Sequence, residues 1–473
     1  RAEASENNQS INGYNATGFP AASNGNPAFA YGFTNGSRPN AANSRTRRTS
    51  LVTAINYSFD RRYNIDLNFN LDGSTAFGLN KRFAPYYSAG ISWNIMNEKF
   101  MKEFTWINNL RLRGNWGLTG NQSFNNVSES VYNYYSAINS FGQGVYLSAL
   151  GAENLEWQKT AQTSLGLDAA FMNNRLNFYL NAYQKITDPL VVAITLPSST
   201  GLNNYPYNAG RSTVKGMELN LRFSPIYKPG NVVWTLGVTG STTSQVYSNF
   251  DNKLSTLNNQ LKNSNSLTRY RDGYSAYDMW AVPSLGIDPT TGKEVFLKAN
   301  GQQTFIYDPA DQVVVGSSRP KAEGVFSSNL FYKGLNLGIS IRYVWEKKQF
   351  NTALYNKVEN ISDISLRYNQ DKRALYDRWK NPGDVTEFKG IAIYNSSPMS
   401  SRFIQSENSF SGESINIGYE FRDRKWLAKA ALSALSINAY SNDLFYLSNI
   451  TRERGIDYPY AKSVSMSIRA SFK

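Results

Sequence analysis

In the last residues of this chain, side chains change character at every step. Val464, Met466, Ile468, Ala470 and Phe472 fall on one face of an extended strand, and Ser463, Ser465, Ser467, Arg469 and Ser471 fall on the other. The same alternation returns upstream. Leu335, Leu337, Ile339, Ile341, Tyr343 and Trp345 alternate with Asn336, Gly338, Ser340, Arg342 and Val344, while Met217, Leu219, Leu221 and Phe223 alternate with Glu218, Asn220, Arg222 and Ser224. After Asp60-Arg61-Arg62, the face opposite Tyr63, Ile65, Leu67, Phe69 and Leu71 is Asn64, Asp66, Asn68, Asn70 and Asp72, which is too polar to pack dry. A soluble sandwich rarely repeats this in most strands of 473 residues. Lipid against the apolar face and water against the polar face satisfy both, and that is a transmembrane antiparallel β-barrel.

A mean hydropathy of -0.47 is no objection, because a barrel hides its membrane affinity in alternation. The longest apolar run, Pro189 to Pro197, is less than half of the roughly 18 residues that a membrane helix needs. The chain has no Cys and no His, which removes disulfides, thiolate zinc sites and every imidazole acid, base or ligand. Its net charge of +14 is scattered over turns and strand faces rather than clustered, which argues against nucleic acid. Basic groups at the rim suit anionic outer-membrane lipid, and those inside suit acidic solutes.

The alternation predicts strands at 48–59, 63–71, 86–94, 109–118, 160–171, 174–186, 213–224, 231–245, 323–332, 335–345, 412–421, 427–440 and 461–472. That makes about thirteen, each long enough to cross a bilayer when tilted. Short connections (60–62, 95–108, 172–173, 225–230, 333–334, 422–426) alternate with long ones (73–85, 119–159, 187–212, 246–322, 346–411, 441–460). Tight periplasmic turns and long extracellular loops would produce this. Residues 1–46, rich in Asn, Ser and Gly, read as an extracellular loop or lead-in, and 47–473 as barrel. Within 246–322, residues 278–298 are expected to form a hairpin around Asp288-Pro289-Thr290-Thr291-Gly292. Gly292-Lys293-Glu294 lacks the spacing and hydroxyl of a phosphate loop and reads as a turn.

Two residue sets are candidates for function. Asp66, Asp72, Arg111, Arg113, Asp168, Glu218, Arg222 and Arg342 fall on polar strand faces and are expected to face the lumen, where they contact solute or pair with one another. Tyr132, Tyr134, Tyr135, Tyr146, Tyr270, Tyr274, Tyr277 and Trp280 lie in long loops, where a sugar ring or an apolar peptide side chain can stack on them, or where they pack within the loop. Aromatic residues at strand ends on the apolar face, such as Phe171, Phe223, Trp345 and Phe421, read as an interfacial girdle. No carboxylate pair is marked for catalysis, and Asp308, Asp311 and Asp363 lack the spacing of a calcium loop. No cofactor, metal or enzymatic activity is expected.

Short motifs along nearly the whole chain carry a resemblance. They are Leu71-Asp72-Gly73-Ser74, Ser92-Trp93, Glu98-Lys99-Phe100-Met101, Leu110-Arg111-Leu112-Arg113, Trp116-Gly117-Leu118-Thr119-Gly120-Asn121-Gln122 and Asn154-Leu155-Glu156-Trp157-Gln158-Lys159-Thr160. Gly166-Leu167-Asp168, Asn173-Asn174-Arg175-Leu176, Asn208-Ala209-Gly210, Lys215-Gly216-Met217-Glu218, Tyr332-Lys333-Gly334, Arg378-Trp379, Pro382-Gly383-Asp384 and Tyr458-Pro459 follow in order. Together they resemble the carboxy-terminal part of the SusC/RagA-like TonB-dependent outer-membrane transporters of Bacteroidetes. The resemblance implies active import of an oligomeric nutrient, glycan or peptide, with a SusD-like surface lipoprotein as lid. It also implies TonB as energy coupler, acting through a segment with no counterpart here. Lys473 after Phe472 departs from the family's aromatic terminus, and the plug domain and early strands have no counterpart in this chain. A passive porin or secretion pore, and a structural or adhesive barrel, are the alternatives.

Parity yields one further expectation. The last strand should descend to a periplasmic C-terminus, and 48–59 should descend too, because a short turn follows it. Parallel terminal strands cannot pair in an antiparallel barrel of even strand number. An odd number of strands, about nine of about twenty-two, should therefore be missing, together with the plug, with the break before Arg1 in an extracellular loop.

Overall fold

The computed structural model describes the chain except residues 20–23, 25, 27–30, 33–39, 76–77, 122–129, 265, 393–394, 423, 455–459 and 473, and gives no side chains for 40–42, 44, 121, 134–139 and 143. Gln122, Tyr458, Pro459 and Lys473, named above, fall outside the described residues, as do the side chains of Tyr134 and Tyr135.

One antiparallel sheet dominates. Its strands are β1 (Ala2–Gly13), β2 (Asn40–Phe59), β3 (Tyr63–Ser74), β4 (Phe83–Asn94), β5 (Ile107–Asn121), β6 (Gln158–Phe171) and β7 (Leu176–Thr187). They continue as β8 (Arg211–Lys228), β9 (Val232–Ser248), β10 (Ala322–Tyr332), β11 (Leu335–Phe350), β12 (Ile404–Arg422), β13 (Leu432–Asn442) and β14 (Val464–Phe472). Each pairs with the next in chain order, and Tyr446–Ser448 adds a short piece beside β12. β1 and β14 do not pair with each other.

The register keeps the two faces separate across the sheet. Phe59, Tyr63, Trp93, Leu112, Leu167, Leu180 and Leu219 lie in one cross-strand row, and Ile468, Ile437, Tyr419, Leu335 and Tyr332 in another. On the opposite face, Asn56, Asp66, Gly90, Asn115, Ser164, Tyr183, Gly216 and Thr243 form a polar row. The apolar face is not a protein core. Leu67 is 45% exposed, Met217 49% and Ile468 70%.

The buried apolar clusters sit instead at the end of the sheet that carries the long connections. One gathers Leu354, Val358, Ile361, Ala374, Phe388 and Phe403, a second Ala84, Tyr86 and Trp157, and a third Tyr247, Phe250 and Leu254. Trp157 is almost fully buried and donates from Nε1 to the Lys81 carbonyl at 2.7 Å, which fixes the start of β6 against the β3–β4 connection. Gly210 has φ +79°, and a Cβ there would stand 2.3 Å from the Phe250 ring, so both conformation and contact require glycine.

The predicted strands are all present, and four expectations need correction. First, within residues 1–46, read as a loop or lead-in, Ala2–Gly13 forms strand β1, paired with Asn40–Leu51 of β2. Both of its faces meet water, so it shows no apolar alternation. Second, β1 is antiparallel to β2, so the first and last strands are antiparallel to each other, and the count of fourteen overturns both the odd number of missing strands and the argument from parallel ends. The N-terminal end of β1 also points toward the short connections, not toward the long loops. Third, residues 425–429 are a short helix and β13 starts only at Leu432. Fourth, the hairpin in 278–298 is narrower than expected: Ser284–Ile287 pairs with Glu294–Leu297, and Asp278–Ala281 pairs instead with Val313–Ser317.

Candidate functional site

The polar face of the sheet, and the loop body at one of its ends, bring most candidate residues together. Arg113 donates to Asp168 through Nε (2.8 Å) and Nη2 (3.1 Å), with its guanidinium 5.1 Å from the centre of the Tyr179 ring. A Cβ at Gly166 would lie 2.7 Å from Arg113 Nη2, so this glycine leaves room for the fork to cross its strand. Arg111 donates to Ser92 Oγ at 2.9 Å, Arg342 to Glu413 at 3.1 Å, and Asn70 to Asp72 at 2.9 Å. Glu218 and Arg342 line one shallow depression of about 460 Å³ with Tyr179 and Glu323. Asp66 and Arg222 are exposed on the polar face away from it. Arg113 and Asp168 thus pair with each other, and Arg342 pairs with Glu413 outside the candidate set.

The loop aromatic residues divide. Trp280 is buried, with Tyr274 edge-on at 4.8 Å, and Tyr270 packs on Tyr247 at 6.0 Å. Tyr277 is partly exposed beneath Arg319, 4.8 Å from its ring centre. Tyr132 and Tyr146 are exposed on a hairpin of Val131–Asn139 and Gly142–Ala149.

Sequence reasoning missed how the two longest loops join. Arg402 Nη2 donates to Glu359 Oε1 at 2.6 Å and to Glu294 Oε2 at 3.1 Å, tying the segments on either side of β10 and β11. Ser397 and Ser400 donate to the same two carboxylates. Burial works against the charge of Arg402, but the Glu359 and Glu294 carboxylates outweigh it and hold its pKa above the usual value. Arg378 donates to the Ala374, Lys389, Val358 and Glu359 carbonyls, and burial pushes its pKa down. Trp379 Nε1 donates 2.8 Å to the Pro289 carbonyl in the tip of the 284–297 hairpin. The only sequence signal was the Arg378-Trp379 motif, which carries no information about partners so distant in sequence.

Beside this body, a cavity of about 790 Å³ opens at the top of β11 and β12, lined by Lys347, Glu407, Tyr446, Arg452, Glu453 and Arg454. Lys347 approaches Glu407 at 3.4 Å, and Glu453 accepts from Arg373 at 2.8 and 3.0 Å, a contact that holds Glu453 below the usual carboxylate range. Asp443 accepts from Tyr460, Arg452 and Arg454, which brings its pKa down to about 2. Asp308 and Asp311 each accept a backbone N–H, from Ala310 and Ala299, and among the described residues no acidic cluster is placed to hold a metal ion.

A meander of long antiparallel strands, apolar on one face and polar on the other, with its packed loops at one end, defines the wall of a large outer-membrane barrel. The chain belongs to the TonB dependent receptor-like, beta-barrel family, which matches residues 4–343, a family of outer-membrane receptors and transporters rather than enzymes. It is 25% identical over 459 residues to TonB-dependent receptor P39 of Formosa agariphila, covering 85% of this chain and 42% of the relative. To TonB-dependent receptor SusC of Bacteroides thetaiotaomicron it is 26% identical over 409 residues, covering 80% of this chain and 38% of the relative. It therefore spans about two fifths of these relatives. In fold it resembles the RagAB peptide importer in the closed-closed state, with a TM-score of 0.83, 23% identity, and coverage of 100% of this chain and 53% of that one.

Proposed function

We propose that these residues form the carboxy-terminal part of the wall of a SusC-like active importer that takes an oligomeric nutrient, glycan or peptide, across the outer membrane. The polar face lines the passage, and the long loops lie outside the cell and seat a SusD-like lipoprotein as lid. TonB supplies energy through a segment beyond these residues, and the C-terminus is periplasmic. Further strands and a plug complete the wall.

The observation that carries this reading is the loop body. The segment 351–403 packs around a core of its own, and Arg402, paired with Glu359 within it, ties it to Glu294 in the loop between β9 and β10. A passive pore needs no such platform, and ordered loops of this length generally have a binding or gating role. The RagAB neighbour is described as a peptide importer, which supports import but leaves the cargo of this chain between peptide and glycan.

The test is uptake of labelled oligosaccharides and peptides by cells making the intact protein, with and without TonB and the proton gradient. Uptake that stops when either is removed supports import, and equal passage in their absence supports a passive pore. A native purification in which no lipoprotein contacts 249–321 or 351–403 would count against the lid.

A further inference from the structure

The loop between β9 and β10 holds a second cavity, of about 400 Å³, between helix α1 (Ser255–Asn263) and the segment around Gln312. That volume lies at the lower end of the range for small-molecule sites. Two of its lining groups are unusual. Trp280 is 6% exposed, and its Nε1 is a buried donor without an acceptor among the described residues. Indole N–H can only donate, so the atom calls for an oxygen. Arg269 is 7% exposed, and its hydrogen-bond partners are all neutral: the Ser266 and Thr268 carbonyls at 2.9 and 2.6 Å, and the Gln312 side chain. Among the described residues no carboxylate pairs with it, and burial lowers its pKa.

A buried cation without a counter-ion is costly unless something negative joins it. Lys262 and Arg271 line the same cavity, and Asp272 is its single carboxylate, spent on the Phe250 N–H at 3.0 Å. Three cations therefore face one anion. The Tyr270 ring and the Asn259 amide complete the wall, and a ring face beside an amide suits a hydroxylated pyranose.

We propose that this cavity binds an acidic sugar residue. Its carboxylate sits near Arg269 and Lys262, one of its oxygens accepts from Trp280 Nε1, and its ring lies along Tyr270. The cavity thereby gives the transporter a preference for uronate-bearing oligomers. This deepens the import reading and rests on it for its biological meaning.

The test is calorimetry on the intact protein, purified from membranes in detergent, with galacturonate, neutral galactose and N-acetylalanine as probes. Galacturonate should bind about tenfold or more tightly than galactose, and less tightly as salt rises. Trp280→Phe, which keeps an aromatic ring against Tyr274, and Lys262→Gln should each lose about tenfold in galacturonate affinity. Circular dichroism and lipoprotein capture report whether each variant is folded, and Lys262→Gln, on a helix surface, keeps the test valid should the other fail to fold. Equal binding of galactose, tighter binding of N-acetylalanine, no binding of galacturonate, or wild-type affinity in a folded variant overturns the proposal. Galacturonate binding without gradient-driven uptake would sink the import reading alone, and driven uptake without galacturonate binding would sink the cavity alone.

Discussion

Arg402 shows how much the loop body depends on single charges. It neutralises two buried carboxylates, Glu359 and Glu294, whose side chains are 0% and 4% exposed. Removing one member of such a group leaves the others charged and unpaired, at a cost of about 3–5 kcal/mol. Arg402→Gln should therefore speed hydrogen exchange across 351–403 and 284–297 while leaving the strands protected. Unchanged exchange in those segments would show that the knot is dispensable. Asp443 offers a pH test. Its folded pKa of about 2 lies below the unfolded value near 3.9, so its contribution is complete above about pH 4 and is lost as pH falls toward 2. Asp443→Asn should weaken the 443–463 connection by about 1 kcal/mol at neutral pH, a figure kept low for its partial exposure. Limited proteolysis should cut this connection faster in the variant at pH 7, and the difference should shrink toward pH 3.

At the scale of elements, legibility followed solvent. Strands with lipid on one side and water on the other announced themselves by alternation, which is why Tyr63–Ser74 and Val464–Phe472 were readable to within a few residues. Where both faces meet water the signal vanishes. β1 was missed for that reason, as was the extension of β2 back to Asn40, where Glu6 pairs with Arg45 and Arg47. Alternation put Arg113 and Asp168 on polar strand faces, but they became a pair only once the offset of β5 and β6 was known. The Glu294–Arg402–Glu359 knot left no trace at all, since tertiary loop contacts have no sequence period. Two substitutions test the faces. Leu219→Arg, on the apolar face, should cost about 2–4 kcal/mol if it lies near the bilayer midplane, and its neighbour Asn220→Arg should be mild. Folding titrations in lipid vesicles measure both, and equal costs would show that the two faces share one solvent. Because the chain has no Cys, single cysteines give an independent check. Ser467→Cys should react with a water-soluble maleimide and Ile468→Cys should resist it.

At the scale of the whole molecule the sheet has two unsatisfied edges. β14 pairs with β13 only, and β2 is covered by β1 only over Asn40–Leu51, with Arg1 N–H reaching the Val52 carbonyl, so 53–59 has no neighbour on that side among the described residues. Exposed backbone N–H and C=O groups cannot be left in hydrocarbon, where each would cost several kcal/mol. A wall that spans the membrane must therefore pair both edges. With fourteen antiparallel strands here, an even number of further strands, about eight for a barrel of about twenty-two, would do so without a parallel contact. Hydrogen exchange resolves this at the edge itself. In the intact protein in the outer membrane, every amide of Val464–Phe472 should be protected, those facing β13 and those facing away alike. In a 473-residue chain refolded alone in detergent, the amides facing away from β13 should exchange at rates near those of a free peptide, while alternate ones remain slow. Uniform protection of β14 in the isolated chain would mean that its outer edge finds a partner within these residues, and the argument for further strands would fall.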